Sequence, residues 1–98
     1  MVKLLSITPD VKTSRHKYVA RFLLNNGQIK YTKFGAKGYD DFTLKATPED
    51  RNNYWQRHAK DLDTDDFTRA GFLSLYILWG HSKNINDNIE FYRAEFNI

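Results

Sequence analysis

The chain is 98 residues long, 41% hydrophobic and 15% aromatic, with a formal net charge of +3. That length implies one domain, 1–98, around a single core, and that aromatic content excludes a disordered basic tail. It contains no cysteine, which excludes disulfides, thiol chemistry and thiolate metal sites.

The first ten residues, MVKLLSITPD, hold one lysine and a very short apolar run. That is too little for a secretory signal, so a soluble intracellular protein is expected. Lys3–Thr8 is a short strand closed by Pro9-Asp10, and the polar, basic Val11–His16 is a loop. Lys17–Leu24 is rich in β-formers and leads into Asn25-Asn26-Gly27-Gln28, with Ile29–Phe34 as the return strand. Asn-Gly between two such runs predicts a hairpin with a type I′ turn. Along the return strand Ile29, Tyr31 and Lys33 share one face, and Lys30, Thr32 and Phe34 the other. Neither face is cleanly apolar, so one face of the sheet is expected on the helices and one toward water.

Phe34–Thr43 (FGAKGYDDFT) follows no regular period. Thr47-Pro48-Glu49-Asp50 then opens a helix over about Pro48–Lys60: Thr as N-cap, Pro at the first position, acids in the positive first turn. Tyr54, Trp55 and His58 are expected toward the core, with Arg51 and Arg57 nearer the edge. Thr64 or Asp65 would cap a central helix over about Asp66–Trp79, ending at Gly80 as C′. Its heart, AGFLSLYILWG (Ala70–Gly80), has Ser74 as its one side chain that is neither apolar nor an amphipathic aromatic. The run is about half the roughly 20 residues needed to cross a bilayer, so a fully buried helix is expected. Ser82 caps a last helix to about Phe96, with Ile85, Ile89, Tyr92 and Phe96 on one stripe. Strands first and helices after give an α+β fold: a small antiparallel sheet with a β-hairpin packed against three helices, from a basic β region (1–37) and a helical region (47–98).

Charge is unevenly spread. Residues 1–37 hold eight Lys/Arg against Asp10 alone, residues 38–66 four basic against eight acidic groups, and residues 67–98 three against three. Such asymmetry predicts an electropositive face for an anionic partner. Basic and aromatic residues alternate in the hairpin, as Lys17-Tyr18, Arg21-Phe22, Lys30-Tyr31 and Lys33-Phe34. Lysines and arginines neutralise phosphates, and exposed aromatics stack on single-strand bases. The Gly35-Ala36-Lys37-Gly38 loop can present N–H groups and a cation to phosphate, but it lacks the GxxxxGK[ST] pattern of a nucleotide-hydrolysing loop. The candidate nucleic-acid contacts are therefore Lys17, Arg21, Lys30, Lys33 and Lys37 on phosphates, with Tyr31 and Tyr39 stacking.

Asp40 and Asp41 are read as capping, turn or ion-pair residues, because neighbours in an extended segment point to opposite faces. His16, His58 and His81 lack zinc-ligand spacing, and no nucleophile motif occurs. No catalytic residue, metal or cofactor is expected, a nuclease built from dispersed residues being the remaining enzymatic alternative.

FGAKGYDDFT, the Arg51…Tyr54…Arg57-His58 spacing, AGFLSLYILWG and the terminal Ile89…Tyr92…Phe96-Asn97 together resemble a small uncharacterised protein family. It is encoded by large nucleocytoplasmic DNA viruses of algae and amoebae. The likeness covers about Lys17–Asn97, and departs from the family at Leu62–Asp66, acidic here where a Trp-containing segment is common. The resemblance implies a protein of the host cytoplasm or viral factory, packaged in the virion in some cases. Two roles follow: a non-enzymatic protein binding viral DNA or RNA, or a virion structural or assembly protein, such as a minor capsid component, acting through protein contacts.

Overall fold

The computed structural model describes residues 1–12 and 15–98. Strands β1 (Lys3–Pro9), β2 (His16–Leu23) and β3 (Ile29–Ala36) form an antiparallel sheet in the order β1-β2-β3. Helix α1 (Pro48–His58) runs into a 3-10 turn over Ala59–Thr64. Helix α2 (Ala70–Leu73) continues as a π-helical segment, Ser74–Leu78, and α3 (Ile85–Phe96) follows. The fold is α+β. Of the loop expected over Val11–His16, Thr13 and Ser14 lie outside the described residues.

Alternation on the strands decides which face is buried. Ala20, Phe22 and Phe34 turn inward and join Leu4, Leu73, Ile77, Leu78 and Tyr92 in one core cluster. Thr32 is buried with them, and its hydroxyl donates to Thr68 O at 2.8 Å. Ile29, Tyr31 and Lys33 therefore face water, although two of them are apolar or aromatic. The hairpin loop differs from the expected type I′ turn. Only Gly27 has positive φ, at 84°, while Gly27 N donates to Leu24 O and Leu24 N to Gln28 O. That is a three-residue loop, a turn with negative φ at Asn25 and Asn26 followed by a glycine bulge. Asn26 keeps its negative φ and instead accepts from Gln28 N at 3.0 Å.

Helix α1 begins as its sequence dictates, in a capping box between Thr47 and Asp50. None of its residues is fully buried; Arg51, Tyr54, Trp55 and His58 are half-buried against the π-helical segment. Arg51 is more than an edge residue: its Nε donates to Gly80 O at 2.7 Å and to Trp79 O at 3.0 Å. The central helix starts at Ala70, later than the expected Asp66, because Asp66 caps locally: its Oδ1 accepts from Thr68 N and Thr68 Oγ1. Neither Thr64 nor Asp65 caps α2.

The end of the central helix is held by one polar side chain. Asn88 on α3 is fully buried; its Nδ2 donates to Ile77 O at 2.8 Å and Ser82 O at 2.7 Å, and its Oδ1 accepts from Ser82 N. This satisfies carbonyls that the helix end leaves open. Gly80 is required here for space, not for a left-handed C′ conformation. A Cβ on it would stand 2.2 Å from Tyr76 O and 2.6 Å from Asn88 Cγ. Asn84, two residues beyond the expected Ser82, caps α3. No helix among the described residues is long and apolar enough to cross a membrane.

Replacing Asn88 by Ala strands buried groups of residues 77 and 82, so a loss of about 3 kcal/mol is expected from chemical denaturation. Ile77→Asp, which puts a charge in the core centre, is expected to abolish the cooperative transition.

Candidate functional site

The outer face of the sheet gathers part of the expected contact set. Register puts Arg21 opposite Tyr31 and Val19 opposite Lys33. The Tyr31 ring is 63% exposed, and the Arg21 guanidinium carbon lies 5.7 Å from its centroid. Arg21 is oriented by Thr8, whose Oγ1 accepts from its NH1 at 2.8 Å. Pro9, Val11, Lys12, Arg21, Tyr31 and Lys33 line a cavity of about 270 Å³ on this face. Buried Asp10 lines it too, with one carboxylate oxygen 3.7 Å from Lys33 Nζ and its carbonyl accepting from Lys37 Nζ at 3.2 Å. Lys33 and Lys37 are thus neighbours through Asp10.

Lys17 and Lys30 are placed differently from the rest of that set. Lys30 lies on the helix side, where its Nζ donates to Thr68 Oγ1 at 2.9 Å and stands 3.8 Å from Asp66. Lys17 is 14% exposed, and its ammonium donates to Asp41 Oδ2 at 2.6 Å and Tyr39 O at 2.7 Å. Its stem crosses Gly35: a Cβ there would come within 3.3 Å of Lys17 and 2.6 Å of Leu78 Cδ1. Gly35 also has φ +78°, so both space and conformation demand glycine.

The Lys17–Asp41 pair organises the loop after β3. Asp41 is buried, and its Oδ1 accepts from Thr43 N and Thr43 Oγ1 at 2.8 and 2.5 Å. Asp40 accepts from the N–H groups of Asp41 and Lys45, both at 2.9 Å. The ion-pair and turn roles expected for these two aspartates are the ones the geometry gives. The N–H of Lys45, first, and that of Asp41 hold the Asp40 carboxyl below the usual carboxylate range. Tyr39 stands out from the loop, 73% exposed.

Between this loop, α1 and the π-helical segment lies a cleft of about 440 Å³, walled by Lys17, Asp41, Tyr54, Arg57, His58 and Ser74 among others. Tyr54 stacks between His58, at 4.1 Å, and Trp79, at 4.3 Å. Burial, then the charge of Asp61, pushes the Tyr54 phenol above its usual value, so it stays a neutral hydroxyl. His58 Nδ1 lies 3.5 Å from Asp61. The cleft opens onto a broader groove of about 840 Å³, bordered by Lys37, Gly38, Tyr39, Thr43, Leu44 and Lys45. Among the described residues no three His, Asp or Glu side chains converge as metal ligands.

A model of a family of unknown function, DUF5754, matches residues 10–58, half of the chain. The chain belongs to this family. No curated protein and no solved structure matches it. The family segment carries Arg21, Tyr31 and Lys33 of the sheet face together with Lys17, Asp41, Tyr54, Arg57 and His58 of the cleft. Ser74, Leu78 and Trp79 come to the cleft from beyond it. Sequence reasoning missed the cleft as a unit, though one signal stood in view. Ser74 is the polar interruption of the apolar run, and it starts the π-helical turn in which Trp79 N donates to Ser74 O, a distortion frequent at functional sites.

Lys17→Met leaves Asp41 charged and buried without its partner, so a loss of about 3–5 kcal/mol is expected in denaturant unfolding. The double variant Lys17→Met/Asp41→Leu is expected to recover much of it.

A second expectation concerns acid. The Thr68 hydroxyl, first, and its N–H hold the Asp66 carboxyl low, as Lys45 holds Asp40. A carboxyl whose folded pKa lies below its unfolded value stabilises fully above that unfolded value, about 4, and loses the contribution as pH falls through the folded one. The melting temperature should fall below about pH 4, and less steeply in Asp40→Asn/Asp66→Asn.

Proposed function

We propose that the outer face of the sheet binds single-stranded nucleic acid, without catalysis. The observation that carries this reading is Tyr31: a largely exposed ring on a strand face, with Arg21 against it and Lys33 one pleat along. An exposed aromatic on a sheet takes a base by stacking, and flanking cations take the adjoining phosphates. Stacking suits unpaired bases, whose faces a duplex conceals. Lys12, which lines the same cavity, and Lys37, next to Lys33 through Asp10, extend the basic track toward Tyr39. Lys17 and Lys30 serve the fold in this reading, since their ammonium groups are engaged with Asp41 and Thr68. The viral setting implied by the resemblance would make the strand a viral genome or transcript. The assembly role remains the competing reading, with half-exposed Phe91 on α3 as its contact point.

Fluorescence anisotropy with labelled single- and double-stranded DNA and RNA over a salt series tests it. Single strands should bind more tightly than duplexes, with a log–log salt slope of about −2 if Arg21, Lys33 and Lys37 each neutralise one phosphate. Tyr31→Ala should weaken binding by about 5- to 100-fold, the worth of one stacked base. No binding at low salt, or no response to Tyr31→Ala, would reject this role.

A further inference from the structure

We propose that the cleft between the Gly35–Lys45 loop and α1 binds a phosphate monoester of nucleotide size. This goes beyond the sheet-face reading and stands or falls separately from it.

Charge is the first argument. Lys17, Lys37, Lys45 and Arg57 line the cleft and its mouth against two carboxylates, Asp40 and Asp41. Asp41 is already neutralised by Lys17 at 2.6 Å, and Asp40 Oδ1 is occupied by two backbone N–H groups. Arg57 is exposed and has no ion-pair partner among the described residues. A guanidinium left open on a cleft wall is suited to bidentate contact with phosphate.

Donor chemistry is the second. The Lys17 ammonium has three protons and spends two on Asp41 and Tyr39 O; Lys17 is among the residues that line the cleft. Tyr54 and Ser74 line the same wall, and their side chains hydrogen-bond to each other. His58 adds its imidazole to the same wall, with Nδ1 3.5 Å from Asp61.

Size and shape are the third. About 440 Å³ falls in the range of small-ligand clefts. Leu78 and Trp79 supply apolar wall, while Tyr39 stands exposed at the mouth where a base could stack. The phosphoryl group would sit toward Arg57 and Lys17, the ring toward Tyr39.

Two sources share this chemistry: a free nucleoside monophosphate and the 5′-phosphate end of a strand. Isothermal titration of the full chain with adenosine 5′-monophosphate, adenosine and inorganic phosphate tests the site. The monophosphate should bind about tenfold or more tighter than adenosine, and Arg57→Glu should weaken it about tenfold or more, the worth of a charge-assisted contact. The same charge change at Lys3, which lines neither cavity, should leave it unaltered. Lack of binding at millimolar monophosphate, equal affinity for adenosine, or indifference to Arg57→Glu would each overturn the proposal.

Oligonucleotides with and without a 5′-phosphate separate the sources. With the monophosphate bound, an Arg57-dependent preference for the phosphorylated strand assigns the cleft to strand ends. Equal binding assigns it to free nucleotides. Tyr31→Ala reports on the sheet face alone, so strand affinity can fail there while the cleft still binds.

Discussion

The contact between Lys17 and Asp41 ties together parts that sequence separates by more than twenty residues. One partner begins on β2 and the other sits in the loop after β3, so their pairing folds that loop back over the sheet edge. A charge pair this buried repays its desolvation only when its remaining donors and acceptors are also met. Tyr39 O takes a second ammonium proton, and Thr43 supplies Asp41 with two more donors. The lysine stem can pass because Gly35 has no side chain, with Leu78 of the core directly behind it. Strand, loop and central helix therefore meet at one point, and the cleft opens beside it.

Two surfaces result, and Asp10 stands between them. The open one is the sheet face, where Tyr31 and Arg21 are held in a cross-strand pair and Lys33 leans toward Asp10. The recessed one is the cleft, reached through Lys37, whose ammonium rests on the carbonyl of the same aspartate. A buried acid among so many cations does more than cancel charge. Its carboxylate orients Lys33 and its backbone carbonyl orients Lys37, and a pre-oriented cation loses less entropy when an anion arrives.

The helical layer answers a different constraint. A central segment this apolar is covered on most sides, with Ser74, Tyr76 and Trp79 left half-buried, and its π-helical turn shifts the backbone bonds from their regular partners. Asn88 on one side and Arg51 with Trp55 on the other take up the carbonyls at its end. Rings of Phe72, Tyr76, Tyr92 and Phe96 fill the space between α2 and α3. Packing alone would leave those carbonyls dry and unbonded, a cost that the buried amide and the guanidinium remove.

Local chemistry sufficed for much of this. The capping box at Thr47, the hairpin at Asn25–Gln28, the stripe on α3 and the burial of Leu73, Leu75, Ile77 and Leu78 rest on spacing and propensity, which act within a few residues and can be read along the chain. The cationic excess before Gly38 was equally legible, as were the turn and ion-pair roles of Asp40 and Asp41. What the residues by themselves left open was long-range partnership. Lys17 and Lys33 look alike in sequence, yet one is half-buried against Asp41 while the other, 42% exposed on the open face, stands 3.7 Å from Asp10. Ile29–Phe34 offered two mixed faces, and the buried one is the face of Phe34, on which Thr32 can hydrogen-bond Thr68. Gly80 suggested a left-handed cap and instead marks a crossing too close for any Cβ. Arg57, His58 and Ser74 converge on one cleft only because the π turn and α1 face each other across it. Pattern in the chain determines which elements form and which side of each is apolar; the partners of charged and polar side chains are decided by packing between distant segments, where geometry rather than composition sets who can reach whom.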